Sequence, residues 1–211
     1  MRKIFIIVLL TLGLAAADFN QALEEYNNQN YVEALKIFSA LAREGDAKSQ
    51  YNTGVMYANG LGVSKDFAEA QKWYEKAAIQ GNAKAQYNLA QLYHLKGRKD
   101  VHAYEKANYW YEKAVKAGVF VAYNNLGVLF LEGLGVAENE EKAFELFKQG
   151  AEKGDASAKL NVAILYAWGK HIPHDKLKAY ENLKQAFKEG KSEASDYLDK
   201  LCQESAWVCK D

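Results

Sequence analysis

Cys202 and Cys209 lie close together near the C-terminus, and His171, His174 and Asp175 fall within the stretch GKHIPHD. Thiolate, imidazole and carboxylate are the donors that zinc takes, but a site needs three or four of them converging. No His or further Cys stands near the cysteines, and Asp175 occupies a helix N-cap position. Neither set is therefore read as a metal site, and no cofactor is expected. The stretch GLGV occurs at Gly60–Val63 and again at Gly133–Val136. A phosphate-binding loop would need a preceding strand and a Gly-Lys-Ser/Thr ending, and neither is present. Serine β-lactamase chemistry needs a lysine one helical turn after the nucleophile. Ser39, Ser49, Ser64, Ser157, Ser192, Ser195 and Ser205 are followed at that position by Ala42, Asn52, Phe67, Leu160, Ser195, Leu198 and Val208. Nothing in the local motifs argues for catalysis, and no catalytic residue is assigned.

A different set is more informative. Asn52, Asn88, Asn125 and Asn161 recur at one position of successive segments, and Lys48 and Lys84 stand one helical turn before the first two. An amide offers a donor and an acceptor together, so such a rung can take the backbone or carboxylate of an extended peptide, with the lysines adding charge attraction. The same amides can instead bond neighbouring helices and hold the segments in register.

The elements that would position this rung follow from the repeat. Glycines recur at Gly45, Gly81, Gly118, Gly154 and Gly190, at steps of 36, 37, 36 and 36. Alanines keep the same beat at Ala34, Ala70, Ala107, Ala143 and Ala179; so do the small residues Gly54, Ala90, Gly127 and Ala163 and the aromatics Tyr57, Tyr93, Phe130 and Tyr166. Each unit reads as two helices. The first, from about Ala47 to Ala58 in the best example, has apolar residues at helical spacing. GLGV then breaks the chain, and Asp66 with Glu69 forms a capping box for the second helix. Asn30 with Glu33 is read as the same device, and Asn139 and Asp175 as later caps. The recurring glycine ends the second helix. Small residues let the two helices approach, and one hairpin cannot bury both of its apolar faces unless others stack on it.

The ends of the chain set the compartment. Met1-Arg2-Lys3, the uncharged run Ile4–Leu14 and Ala15-Ala16-Ala17 read as a cleaved secretory leader over residues 1–17, too short to stay as a membrane span. Its loss leaves 25 basic residues against 27 acidic ones, a balance without the clustered basic face that nucleic acid requires. The chain is expected to be exported, in the periplasm or secreted, with no stable membrane insertion after cleavage. In such a compartment Cys202 and Cys209 form one disulfide that pins the tail, Trp207 included. Asp199, standing where earlier units carry Gly54, Ala90, Gly127 and Ala163, marks a capping helix with nothing stacked beyond it. Two loops depart from the pattern: LKGRKDVHA, flanked by His94 and His102, which read as surface residues, and GKHIPHD.

Ala47–Asn82, with YNTGVMYANGLGVSKDFAEAQKWYEKAAIQG, resembles a Sel1-like repeat, a relative of the tetratricopeptide repeat. Phe120–Gly154 is similar, Ala83–Gly118 and Ala156–Gly190 more loosely so, and Asp18–Gly45 resembles a degenerate opening unit. The resemblance implies a right-handed α/α solenoid, all-α, of about five helix-turn-helix repeats with a C-terminal capping helix. Its expected divisions are 18–45, 46–82, 83–118, 119–154, 155–190 and a capping segment 191–211. It also implies non-catalytic binding of a protein or extended peptide, with peptidoglycan fragments as a further class of partner. An exported chain of this kind resembles the Helicobacter cysteine-rich family, which implies as the alternative a penicillin-binding, β-lactamase-type hydrolase. That family bridges each repeat to the next; the matching positions Ala78 and Gln86 are not cysteines.

Overall fold

The computed structural model describes residues 19–209, so the expected leader lies outside the described residues. Every regular element among them is a helix: α1 (residues 19–27), α2 (Tyr31–Arg43), α3 (Ala47–Asn59), α4 (Phe67–Ile79), α5 (Ala83–Gly97), α6 (His102–Lys116), α7 (Val121–Glu132), α8 (Glu140–Glu152), α9 (Ala156–Trp168), α10 (Lys176–Lys188) and α11 (Ala194–Glu204). The described residues divide into two compact units, 19–92 and 93–209.

Helix starts follow the polar caps. The Asp66 carboxylate accepts the backbone N–H of Ala68 and Glu69, each at 2.9 Å; Asn139 accepts from Lys142 and Asp175 from Lys178. Asp46 and Asp155 start the first helices α3 and α9 in the same way. Each such cap is worth about 1 kcal/mol. Asn30 differs from expectation. Its side chain makes no cap bond and donates instead to Glu25 at 2.8 Å, tying the start of α2 back to α1.

In the first unit, α3 packs against α2 and α4. Ala22, Ala34, Phe38 and Met56 form a core with no exposed surface, ringed by Phe19, Leu23, Tyr26 and Tyr31. Gly54 has a steric reason to lack a side chain: a Cβ there would stand 2.6 Å from the Tyr74 ring and 3.3 Å from the Ala70 carbonyl oxygen. The buried Gln50 and Gln86 reach back one hairpin, donating to the carbonyls of Ala42 and Ala78 at 3.1 Å each. These bonds from a buried amide to the preceding hairpin fix the spacing of consecutive hairpins; the Gln50 oxygen also accepts from Gln80 at 2.7 Å.

In the second unit, α6 to α11 pack each on the next in chain order. Gly127 meets Phe147 as Gly54 meets Tyr74, with 2.6 Å left for a Cβ. The last core gathers Leu160, Ala163, Ala179, Leu183 and Ala186 with Ala194 and Leu201 of α11. Asp199 is exposed on that helix. A Cys202–Cys209 disulfide closes the tail, and it is Val208 that is buried, whereas Trp207 is 65% exposed. The shorter apolar side chain fits the seat; the indole stays in solvent.

Both variant loops lie in this unit. His94, expected at the surface, is half-buried, with its ring edge-on to Tyr104 at 5.6 Å and Tyr111 at 6.1 Å. Burial is the main cause that lowers its pKa, and Arg98 adds to it. His102 is exposed. In the other loop, His174 Nε2 lies 2.8 Å from the Gly169 carbonyl oxygen, Asp175 caps α10, and His171 points to no cluster: among the described residues no three His, Cys, Asp or Glu side chains converge for a metal.

Candidate functional site

The asparagine rung is not uniform. Asn88 is hydrogen-bonded to the hydroxyls of Tyr51 and Tyr74. Burial pushes the Tyr74 hydroxyl up to about 12, against the opposing pull of that Asn88 bond. Asn125 donates to the Tyr111 hydroxyl at 3.4 Å, and Asn161 donates to the Asn124 side-chain oxygen at 2.8 Å. These three amides hold helices to one another. Asn52, half-buried, makes no hydrogen bond among the described residues. The repeat supplies the reason. Tyr74 and Tyr111 stand at the position that Phe38 occupies one unit earlier and Phe147 one unit later. Phe38 offers Asn52 no hydroxyl. Asn161 faces the same loss at Phe147 and turns to Asn124 instead.

The open amide lies in a solvent-facing hollow of about 440 Å³, lined by Phe19 and Leu23 of α1, Lys48, Tyr51 and Asn52 of α3, and Asn82, Ala83 and Lys84 at the start of α5. Its floor is apolar and its rim polar. The Tyr51 hydroxyl is engaged by Asn88, so this residue offers the hollow chiefly its ring; burial raises its pKa. Asn82 is occupied as a cap, accepting the Ala85 N–H at 3.0 Å. Lys48 and Lys84 are exposed, and neither pairs with a carboxylate among the described residues. Lys48 has only a distant ring beneath it, Phe19 at 6.0 Å. No acidic residue is among those lining the hollow.

Asp46 caps α3, but no residue of the first turn of either helix that carries this rim is acidic. None of α3, α5, α7 and α9 has Asp or Glu in its first turn, whereas α2, α4, α6 and α8 carry Glu33, Glu69, Glu105 and Glu140–Glu141 there. Of the residues expected from the sequence, Lys48, Asn52 and Lys84 come together in the hollow. Asn88 lies beside it, engaged by the tyrosines, and Asn125 and Asn161 belong to the second unit. Phe19 and Leu23 were not legible, because the opening unit lacks the repeat's markers. The Phe-for-Tyr exchange at Phe38 and Phe147 is the signal in the sequence of an amide without its hydroxyl, and only at Asn161 does a neighbour, Asn124, close the gap.

Helical hairpins of constant length, stacked through glycine and alanine contacts, define an α/α solenoid, a class of scaffold that mediates protein–protein interaction. The Sel1 repeat matches four times, over residues 47–82, 83–119, 121–155 and 156–191, and the chain belongs to the Sel1 repeat family. A Sel1 repeat protein from Oxalobacter formigenes superposes with a TM-score of 0.77 at 30% identity, over 92% of this chain and 81% of that one. The protective antigen c5321, present in uropathogenic Escherichia coli strains and displaying an SLR fold, superposes with a TM-score of 0.82 at 28% identity. That match covers 95% of this chain but 44% of the antigen. MamA, at 16% identity and a TM-score of 0.52 over 90% of this chain and 97% of that one, shares the fold alone. Curated proteins give no match. Among the described residues no helix is long and apolar enough to cross a membrane.

Proposed function

We propose that this chain is a non-catalytic scaffold of the cell envelope or the extracellular space that holds an extended segment of a protein partner along its first helices. The observation that carries this reading is the open row Lys48–Asn52–Lys84 above an apolar floor, while the later asparagines are closed by internal bonds. Small-residue contacts and buried glutamine ties already hold the hairpins together. The row is therefore free to act outward. Export is supported by the basic head, apolar run and alanine cluster of residues 1–17, and by the paired cysteines, which suit an oxidising compartment.

The test is affinity capture from envelope and culture-fluid fractions with the wild-type chain and with Asn52→Trp, which fills the hollow from a half-buried position. Partners retained by the wild type are expected to be lost by the variant and kept by Lys188→Glu, a change at an exposed site in the second unit. Equal capture by all three chains would remove the hollow from the account.

A further inference from the structure

Both rim lysines stand in the first turn of a helix. Lys48 is the second residue of α3 and Lys84 the second residue of α5. A helix N-terminus carries partial positive charge, which favours carboxylates and disfavours ammonium groups. Four of the second helices obey that rule, with glutamates in the first turns of α2, α4, α6 and α8, whereas α10 opens with Lys176 and Lys178 behind its Asp175 cap. On α3 and α5 a lysine stands in the first turn twice around one hollow; Asp46 caps α3 through the Ser49 N–H, and neither lysine forms an ion pair among the described residues. The lysines contribute nothing evident to the fold. A third unsatisfied group, the Asn52 amide, stands on the same helix as Lys48, one turn on.

From this arrangement we infer that the hollow of α1, α3 and α5 takes an acidic, apolar-flanked protein segment, its carboxylate bridging Lys48 and Lys84 and its neighbouring apolar side chain resting on Phe19, Leu23 and the Tyr51 ring. This assignment rests on the scaffold reading above and names the chemistry of its partner. The carboxylate supplies the negative charge that the two unpaired ammonium groups lack. Asn52 offers a donor and an acceptor to the backbone of the segment. A basic segment would meet both lysines. A wholly polar one would leave the rings uncovered, and a wholly apolar one would desolvate the ammonium groups without pairing them.

Acetylated and amidated eight-residue peptides alternating Glu with Leu, their Gln-for-Glu isosteres and their Lys-for-Glu counterparts test this by calorimetric titration. The Glu peptide is expected to bind about tenfold or more tightly than the Gln isostere at low salt, with the gap narrowing as salt rises. The Lys peptide is expected not to bind. Lys48→Glu with Lys84→Glu, both at exposed positions that leave the core untouched, should lower affinity for the Glu peptide about tenfold or more without lowering the melting temperature. Equal binding of the Glu and Gln peptides, or indifference to the double reversal, overturns the assignment. If Asn52→Trp still abolishes partner capture in that event, the scaffold reading stands and only the acidic partner falls; if it does not, both fall.

Discussion

The Glu140 carboxylate accepts the backbone N–H of His171 at 2.8 Å and that of Lys170 at 3.1 Å. Glu140 opens α8, and the residues at the corresponding places in α2 and α6 are Tyr31 and Tyr104. There a glycine takes the loop's part: a Cβ on Gly62 would stand 2.5 Å from the Tyr31 carbonyl carbon, and one on Gly135 would stand 2.4 Å from the Glu105 nitrogen. Glycine lets the inter-helix loop touch the start of an earlier helix directly. Where His171 replaces it, a carboxylate fills the gap and holds the loop by hydrogen bonds. The structure thus meets one packing requirement in two ways.

Burial pushes the Glu140 carboxyl up, but N–H donation from His171 and Lys170 outweighs it and holds the group below the ordinary carboxylate range. A carboxyl with a folded pKa below its unfolded one stabilises the protein above the unfolded value, and this contribution is lost as pH falls through the folded one. Glu140→Gln is expected to cost about 1–3 kcal/mol at neutral pH. The gap to wild type, measured by urea unfolding across a pH series, should close as the buffer is taken below the ordinary glutamate range. A gap that widens in acid would contradict this.

Gly62→Ala should be among the most damaging single changes in the first unit. Its φ of +70° already disfavours any side chain, and the Tyr31 backbone leaves no room for a methyl group. The left-handed penalty and the steric clash together predict a loss of about 2–4 kcal/mol. Gly81→Asn is the control, since a Cβ there has nothing within 4 Å and asparagine tolerates its φ of +87°. Thermal melting of the two variants side by side separates crowding from backbone preference.

The hairpins were legible because a constant step imposes the same small residue, aromatic and terminal glycine on every unit. The hollow was legible only in part. Lys48, Asn52 and Lys84 share the repeat's beat, so their common face follows from periodicity. Phe19 and Leu23 come from α1, whose sequence lost that beat. The seats of His94 and Val208 depend on local volume: two tyrosine rings leave room for an imidazole, and the disulfide-closed tail buries a valine and not the neighbouring indole. Such outcomes are set by packing across elements and leave no signature in spacing.

The split within the asparagine rung predicts opposite outcomes for chemically identical changes. Asn88→Ala leaves the Tyr51 and Tyr74 hydroxyls without their amide and should cost about 1–2 kcal/mol. Asn52→Ala removes an amide with no hydrogen-bond partner among the described residues and should change stability by less than about 0.5 kcal/mol. Denaturant midpoints decide it; equal losses would mean that Asn52 is tied into the fold as well.

Tyr74 adds an alkaline limit. Its folded pKa of about 12 exceeds the ordinary 10.0, so the folded state keeps a proton that the unfolded chain releases. The stabilisation is complete below pH 10 and is lost as pH rises toward 12. Wild type should therefore lose stability over that interval more steeply than Tyr74→Phe, with absorbance of the tyrosinate reporting the ionisation directly. Parallel curves for the two proteins would place the alkaline transition on another group.

The Cys202–Cys209 bridge closes a short loop that starts in the last turn of α11, so its removal should be felt locally. Chain-entropy reasoning gives a short loop about 2 kcal/mol, and that sum falls on the tail because Ala194 and Leu201 bind α11 to the core independently of it. Cys202→Ser with Cys209→Ser should release Val208 from its buried seat and Ser205 from its bond with Lys176, speeding amide exchange over residues 203–208. The main thermal transition should move by less than about 5 °C, as expected for a loss of this size confined to one end. A collapse of the whole transition would instead make the bridge a condition for the capping helix itself, with the apolar end of α9 and α10 exposed on reduction.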